Sequence, residues 1–289
     1  MSDMDRRAFL GTMAVAALAG RSVGAASITN VGMQLYTVRT QLEKDFEGTL
    51  AKVAAIGYKE VEFAGYFNHT PQQVRDILKA KGLSSPAAHV GYDLLAEDKW
   101  PAVLEGAHTI GHAFLVNPWI DPSIRSQPGI WKRVAETFNR AGEASRKAGI
   151  QFAYHNHNFE FAPVDGKLPY DLLLEECDPA LVKMELDLCW IMAAGKDPLD
   201  YFKRYPGRFP MVHAKGLSKL TPGGATMPID QLLPLITDVG SNGDVIDWKK
   251  IFAHSSEAGI KHYFVEHDNS KAPFESLAAS YAYLKALQF

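Results

Sequence analysis

Four segments in the second half of the chain carry metal-binding side chains at or just after an apolar run of strand length. They span 151–160, 181–187, 209–213 and 263–267. Parallel strands that close into a barrel bring the residues at their carboxyl ends to one rim, where such barrels have their active sites. We therefore expect side chains from four strands to converge at that rim, and the candidates are His155, His157, Glu160, Glu185, Asp187, His213 and Glu266.

These residue types indicate the chemistry that such a site could perform. Carboxylates and imidazoles without thiolates suit one divalent ion such as Mn²⁺, Mg²⁺, Co²⁺ or Zn²⁺, with little selection among them. Such an ion holds adjacent oxygens of a ketose or hydroxy-ketone and acidifies the C–H bond beside the carbonyl. A carboxylate can remove that proton, and a second group can return it elsewhere. The pattern therefore predicts an isomerase, an epimerase or a β-eliminating lyase.

Short apolar runs alternate with helical patterns over residues 27–289, which we expect to form one domain. Eight β-then-α units in series favour a single (β/α)8 TIM barrel over an open doubly wound sheet. Several helices end in Gly followed by an apolar residue, as at Gly82 and Gly259, which is a helix C-terminal signal. The predicted strands are 30–35, 58–63, 84–90, 113–116, 150–155, 181–186, 209–214 and 263–266. The predicted helices are 45–56, 70–81, 100–110, 130–148, 170–176, 199–205, 248–258 and 274–287.

Two long irregular segments fall where a barrel has its active-site loops. Residues 216–244 follow the seventh predicted strand, and residues 117–129 follow the fourth and carry Trp119. Connections of this length are usually functional or disordered. We expect both to border the site.

Composition narrows the classes of partner. The chain has 289 residues, of which 47% are hydrophobic and 22% charged, with a formal net charge of -3. That balance gives no broad attraction to phosphate backbones, and no basic stripe is evident, so a nucleic-acid partner is disfavoured. A small-molecule carbohydrate is the expected partner, and a homo-oligomer is possible.

Residues 1–26 have the features of an export signal. Arg6 and Arg7 precede Phe-Leu, a weakly hydrophobic run follows, and the small residues at 23–26 suit signal peptidase after Ala25 or Ala26. The paired arginines resemble a twin-arginine signal, the route that exports folded proteins. The apolar run is short for a membrane span, so we expect a cleaved signal, no permanent membrane anchor and a periplasmic location.

The motifs Tyr-His-Asn-His-Asn-Phe-Glu at 154–160, Glu-Leu-Asp at 185–187, His-Ala-Lys at 213–215 and Val-Glu-His-Asp at 265–268 resemble a known family. They look like the xylose-isomerase-like TIM-barrel superfamily of sugar phosphate isomerases and epimerases. The resemblance implies one divalent metal bound by a Glu, Asp, His, Glu set. Carried onto this chain, that set is Glu160, Asp187, His213 and Glu266, with His157 as the alternative to Glu160.

The resemblance and the strand positions together give the other expected roles. Glu160, Glu266 and His157 are the expected catalytic residues, because they offer acid-base groups beside the metal. Five further residues are expected to bind substrate, and they are Glu62, His89, His155, Trp190 and Lys215. Structural roles remain open for several of them, since a strand-end His is often satisfied by the backbone and Trp190 could be core.

The leading functional hypothesis is a metal-dependent sugar isomerase or epimerase that abstracts a proton next to a carbonyl. The alternative is a lyase or hydratase acting on 3-keto-glycosides or inososes, which an exported location favours because phosphorylated sugars are mainly cytoplasmic. A non-catalytic sugar-binding protein is a third possibility. The carboxylates argue against it, since binding alone does not need acid-base groups.

Overall fold

Apolar runs of four to six residues form a closed parallel barrel of eight strands. The computed structural model describes residues 26–289, so the expected export signal lies outside the described residues except for Ala26. Strands that are consecutive in sequence are neighbours around the barrel, and the last barrel strand pairs with the first. The barrel strands are β1 (Val31–Gln34), β2 (Glu60–Phe63), β3 (Ser84–His89), β4 (Phe114–Asn117), β5 (Gln151–His155), β6 (Val182–Asp187), β7 (Met211–Ala214) and β10 (His262–Val265).

Helices surround the barrel, as the alternation of patterns predicts. They are α1 (Arg39–Lys44), α2 (Phe46–Ile56), α3 (Pro71–Lys81), α4 (Trp100–Ile110), α5 (Pro122–Arg125), α6 (Ile130–Lys147), α7 (Pro169–Glu176), α8 (Leu188–Ala193), α9 (Pro198–Arg204), α10 (Ile229–Leu232), α11 (Trp248–Phe252), α12 (Ser255–Ala258) and α13 (Pro273–Ala286). The long connection after β7 contains α10 and a two-stranded antiparallel sheet of β8 (Gly216–Leu217) and β9 (Ile236–Thr237). The single (β/α)8 TIM barrel expected from the sequence is therefore confirmed.

One predicted helix is interrupted. The helix expected over 248–258 is divided into α11 and α12. The Ser255 hydroxyl donates a hydrogen bond of 2.7 Å to the Phe252 carbonyl oxygen. Ser side chains that bond to nearby backbone groups compete with the regular helical bonds, which accounts for the break.

The barrel interior is apolar in its lower half and polar in its upper half. Alternate residues of a strand share a face, so inward positions recur every second residue. Gly32 leaves room for Phe264 in the interior, because a Cβ there would lie 2.7 Å from the Phe264 ring. Buried apolar side chains form the lower layer, namely Ala87, Phe114, Val116, Ala153, Met211 and Phe264. This layer supports the polar layer above it.

The connections between elements follow the expected local signals. Thr70 and Gln73 form a reciprocal capping box at the start of α3. Gly82 ends α3 with φ 65°, and Gly259 ends α12 with φ 84°, a left-handed conformation that favours glycine. Within the described chain, no helix combines the length and apolarity needed to cross a bilayer.

Candidate metal centre and active site

On four of the barrel strands, a polar side chain of the site follows an apolar-layer residue two positions later in the sequence. This spacing keeps them on the inward face and moves them one step toward the carboxyl-terminal rim. Strand register aligns Asp187 with His213 and aligns His155 with Glu185. The apolar and polar partners along each strand are Ala87 and His89, Ala153 and His155, Met211 and His213, and Phe264 and Glu266.

Asp187, His213 and Glu266 form a compact set of possible ligands, which we call the metal group. Each offers one ligand atom, and the three atoms lie within 4.8 Å of one another. His213 Nδ1 is 2.9 Å from Glu266 Oε2 and 3.8 Å from Asp187 Oδ2. All three residues are buried, and Asp187 Oδ2 has no well-aligned hydrogen bond, although Lys215 Nζ lies 3.1 Å away. Two carboxylates and an imidazole are a donor set that fits a divalent cation.

Lys215 is a buried cation beside the metal group. Its Nζ lies 3.1 Å from Asp187 Oδ2, 2.8 Å from Glu266 Oε2 and 2.9 Å from Asp268 Oδ2. Burial alone would lower the pKa of Lys215, but the three carboxylates outweigh burial and raise the pKa well above its ordinary value. The lysine therefore stays charged at the edge of the site.

A second set of side chains surrounds the other ring nitrogen of His213, and we call it the lower group. His213 Nε2 is 2.7 Å from Glu62 Oε2 and 3.2 Å from Glu185 Oε2. Glu185 Oε2 also lies 2.9 Å from His89 Nε2 and 3.4 Å from His155 Nδ1. A histidine that binds metal usually donates its other ring N–H to a carboxylate, which fixes the ring. Glu62 is positioned to do this for His213.

The two carboxylates of the lower group, Glu62 and Glu185, have pKa values that are shifted in opposite directions. Burial and the neighbouring Glu185 raise the pKa of Glu62 to about 7. Burial would also raise the pKa of Glu185, but three histidines, His213 first, outweigh burial and lower it well below its ordinary value. Burial lowers the pKa of His89, whereas Glu62 and Glu185 raise it, and the net shift is upward. His89 therefore holds a proton more readily than His155, whose pKa burial lowers to about 3.

The structure does not bring Glu160 into the metal group, which differs from the expected metal and catalytic roles. Tyr154 precedes the inward His155 and so points outward, where its ring packs 5.2 Å from that of Phe138. Glu160 lies there too, because its Oε1 accepts a 2.5 Å hydrogen bond from the Tyr154 hydroxyl and its Oε2 a 2.9 Å bond from the His157 N–H. Burial raises the pKa of Glu160 to about 7.

Two histidines, His155 and His157, lie near the metal group on the side of β5, where Glu160 was the expected ligand. His155 Nε2 is 3.8 Å from Asp187 Oδ2, so His155 is the fifth-strand side chain beside the metal group. The His157 ring lies 5.1 Å from that of His155 and 5.0 Å from that of Trp119, and its Nδ1 has no hydrogen-bond partner. Burial, and then His155, lower the pKa of His157, which keeps its imidazole neutral.

A cavity of about 850 Å³ opens above these groups. His89, His155, Trp190 and Lys215 line it, so four of the five expected substrate-binding residues face one space, as do Glu266 and His157. Glu62 does not line the cavity and lies beneath it against His213, so its position is that of an orienting carboxylate. Trp190 is buried, and its Nε1, which is buried too, has no hydrogen-bond partner among the described residues.

The two irregular loops border the cavity as expected. Pro118 and Trp119 come from the loop after β4, and Ile229 and Leu233 come from the long connection after β7. Sequence reasoning missed Asp268, which also lines the cavity. Its position three residues after the last barrel strand and two residues beyond the predicted ligand Glu266 was the available signal.

The chain matches the family model described as xylose isomerase-like TIM barrel over residues 50–287. It belongs to that family. The strand-end positions of the metal group and the closed eight-stranded barrel agree with this membership.

Similar proteins modify sugars or related polyols. The chain is 26% identical to an inosose dehydratase of Lacticaseibacillus casei over 275 residues, covering 84% of this chain and 90% of that protein. A sugar phosphate isomerase/epimerase structure from Parabacteroides distasonis is 26% identical with a TM-score of 0.72, covering 93% and 96% of the two chains. A xylose isomerase-like barrel from Mycobacterium smegmatis, solved in complex with magnesium, shares the fold at 13% identity with a TM-score of 0.61, covering 88% and 95%. The two relatives that are 26% identical to this chain are thus named as enzymes of inososes and of sugar phosphates.

Proposed function

We propose that this protein is a divalent-metal-dependent lyase that eliminates water or an alcohol from an unphosphorylated keto-sugar or cyclic keto-polyol. The similarity to inosose dehydratase over 84% of the chain supports a lyase. A metal-dependent isomerase or epimerase for similar substrates is the second candidate, which the similarity to the Parabacteroides distasonis protein supports.

Asp187, His213 and Glu266 would hold the ion, with His155 as the nearest further ligand. Mn²⁺, Mg²⁺, Co²⁺ and Zn²⁺ all suit this donor set. When bound, the ion supplies polarisation of the substrate carbonyl, which acidifies the neighbouring C–H bond. Glu62, bonded to His213 Nε2, fixes the orientation of that imidazole.

The outward orientation of Glu160 is the observation that favours elimination over epimerisation. An epimerase that returns the proton to the other face works best with comparable acid-base groups on both sides of the substrate. Glu266 follows β10, and β5, three strands away around the barrel, presents His155 and His157 instead of the Glu160 carboxylate. Unlike groups on the two sides suit an elimination, in which one group accepts a proton from carbon and another gives a proton to oxygen.

The elimination balances with groups that line the cavity. The C–H bond beside the ketone breaks, its electron pair forms a C=C bond, and the C–O bond at the next carbon breaks. Burial alone would raise the pKa of Glu266, but Lys215 and His213 lower it well below its ordinary value, so this carboxylate is ionised. A low pKa makes it a weak base, so its acceptance of the proton depends on acidification of the C–H bond beside the carbonyl. His89, with its raised pKa, can donate a proton to the departing oxygen. The products are an unsaturated ketone and water or an alcohol.

The charges that line the cavity argue for an unphosphorylated substrate. Among the described residues, its basic side chains other than histidine are Lys215 and Arg39. Lys215 is paired with three carboxylates, and the Arg39 guanidinium donates to the backbone oxygens of Tyr36 and Asp268 at 2.7 and 3.2 Å. The charge of Lys215 is already compensated, which leaves Arg39, histidine aside, as the single uncompensated cation of this lining in the described part of the chain, and the nearby carboxylates would repel a phosphate dianion.

Export through a twin-arginine signal and action in the periplasm remain part of this proposal. The Ala26 N–H donates to the Phe289 oxygen at 2.7 Å, and the Ala26 oxygen accepts from the Phe289 N–H at 2.9 Å. This pairing supports cleavage after Ala25, which would leave Ala26 in the mature fold.

Proton NMR in D₂O with the metal-loaded protein tests the reaction. We would incubate it with an inosose and with methyl 3-keto-glucoside, and use Asp187→Asn protein as the matched control. The lyase predicts an alkene proton signal and, for the glucoside, release of methanol. Deuterium incorporation with inversion and no loss of a substituent would replace the lyase with the epimerase. Absence of both reactions from both substrates would count against this substrate class.

A further inference from the structure

The cavity extends beyond the groups that would handle a sugar. Besides the polar residues at the barrel rim, its lining includes the loop after β2, the start of α3 and one side of α4. We call this part the apolar arm, and it is formed by Tyr66, Pro71, Leu94, Ala102, Val103 and Gly106. None of these six side chains carries a charge.

The shape of the apolar arm follows from the sequence of α4. Ala102, Val103 and Gly106 are spaced so that they lie on one side of the helix. Their small side chains leave space, and Gly106 also lets α4 approach α3, because a Cβ there would lie 3.3 Å from Pro71 Cγ. Larger residues at these positions would close the arm.

Tyr66 gives the arm a fixed aromatic wall. His112 Nδ1 is 2.8 Å from the Ser85 carbonyl oxygen, and a carbonyl only accepts, so Nδ1 carries the proton. His112 Nε2 is then the acceptor for the Tyr66 hydroxyl at 3.0 Å. Burial lowers the pKa of His112 to about 4, which keeps this arrangement at neutral pH. The hydroxyl is occupied, and the ring is left to contact a ligand.

We propose that the apolar arm binds the aromatic aglycone of a keto-glycoside whose sugar lies at the metal group. This inference rests on the proposed function and names its leaving group. One cavity joins the polar rim to the arm, so a ligand with a polar ring and an apolar substituent matches both parts. A free monosaccharide or cyclic polyol would use only the polar part.

The test compares methyl and benzyl 3-keto-glucosides as substrates of the metal-loaded protein, because their two alcohol leaving groups have similar acidity. Burying the aromatic ring in the arm should raise kcat/KM for the benzyl (aryl-bearing) glycoside about 10- to 100-fold over the methyl glycoside. Ala102→Trp should fill the arm and reduce this ratio toward 1, and Val103→Asn should reduce it by placing an amide in the arm. Glu105→Gln, an exposed change on α4 outside the cavity lining, is the matched control and should keep the wild-type ratio.

Binding separates this proposal from the proposed reaction. Trp119 and Trp190 line the cavity, so quenching of tryptophan fluorescence gives the affinity for each glycoside without turnover. Turnover of both glycosides with a ratio near 1 would overturn the apolar arm and leave the lyase standing. Preferential aryl binding that Ala102→Trp abolishes, without any elimination, would support the arm and overturn the lyase. Unchanged preference in folded Ala102→Trp and Val103→Asn proteins would also overturn the arm.

Discussion

The Glu160→Gln variant tests two alternative positions of the Glu160 carboxylate. The carboxylate either lies outside the barrel interior, bonded to Tyr154, or binds the metal. Gln has the length of Glu, can still accept from the His157 N–H and can donate its amide to the Tyr154 hydroxyl. We expect the variant to fold and to bind as much divalent metal as the wild-type protein, because Glu160 lies outside the metal group.

The stability change follows from the pKa of Glu160, which burial raises from 4.5 to about 7. The folded protein then binds this proton more tightly than the unfolded chain does. The free energy of unfolding is therefore at its full value below pH 4.5 and falls as pH rises to about 7. At about 1.4 kcal/mol per pKa unit, the decrease is on the order of 3 kcal/mol. Gln does not titrate, so the variant should lack this decrease.

Urea unfolding at pH 5, 6, 7 and 8 measures the difference between the two proteins. Relative to wild type, Glu160→Gln should become more stable as pH rises, by about 2–3 kcal/mol over the range. The exposed change Glu105→Gln is the control and should follow the wild-type curve. Parallel curves for wild type and Glu160→Gln would refute the buried, proton-holding carboxylate. Loss of metal from Glu160→Gln would restore the ligand role.

Four further outcomes are expected. Asp187→Asn should reduce metal content measured by plasma emission, because it weakens a ligand whose second oxygen caps α8; full occupancy would exclude this metal group. Glu266→Gln should lower turnover by at least about 10²-fold even in excess metal, since it removes the proposed base. His157→Asn should lower turnover with little metal loss if its imidazole contacts substrate, whereas loss of the ion would make it a ligand. Changing Arg6 and Arg7 to Lys should leave precursor in the cytoplasm, and an unchanged periplasmic yield would eliminate the twin-arginine signal.

Most of the fold could be predicted because local signals and global topology agree. Each of the eight predicted strands lies within two residues of an observed barrel strand at both ends. Glycine C-caps such as Gly82 separated helices from strands where hydrophobicity alone would not. The sheet of β8 and β9 was not predicted, since two-residue strands have no periodic pattern to detect.

The site was less predictable than the fold. Which side chains reach the metal group depends on their height along the barrel axis and on the conformation of one short turn after β5. Alternation puts Glu185 on the same face as Asp187, but the register of Glu185 with Met211 shows that it lies one layer lower, beside the apolar layer. Glu160 follows β5 in a 3-10 turn, and such a turn sends the side chain inward or outward without changing the sequence pattern. The Tyr154 hydroxyl determines the outward direction, and no single-sequence signal pairs these two residues.

The buried charges around the metal group explain why one divalent cation would both stabilise the fold and activate the substrate. Glu185, Asp187, Glu266 and Asp268 lie close to one another with Lys215 as the nearby fixed cation. Buried charges are costly unless they are paired, so the set is most stable when further positive charge is present. A divalent ion at the metal group would supply this positive charge on the side of the carboxylates that faces substrate. Protonated histidines of the lower group would supply positive charge on the opposite side, beneath the cavity. Because the same ion would also polarise the substrate carbonyl, the arrangement that offsets buried charge is also the one that activates the substrate.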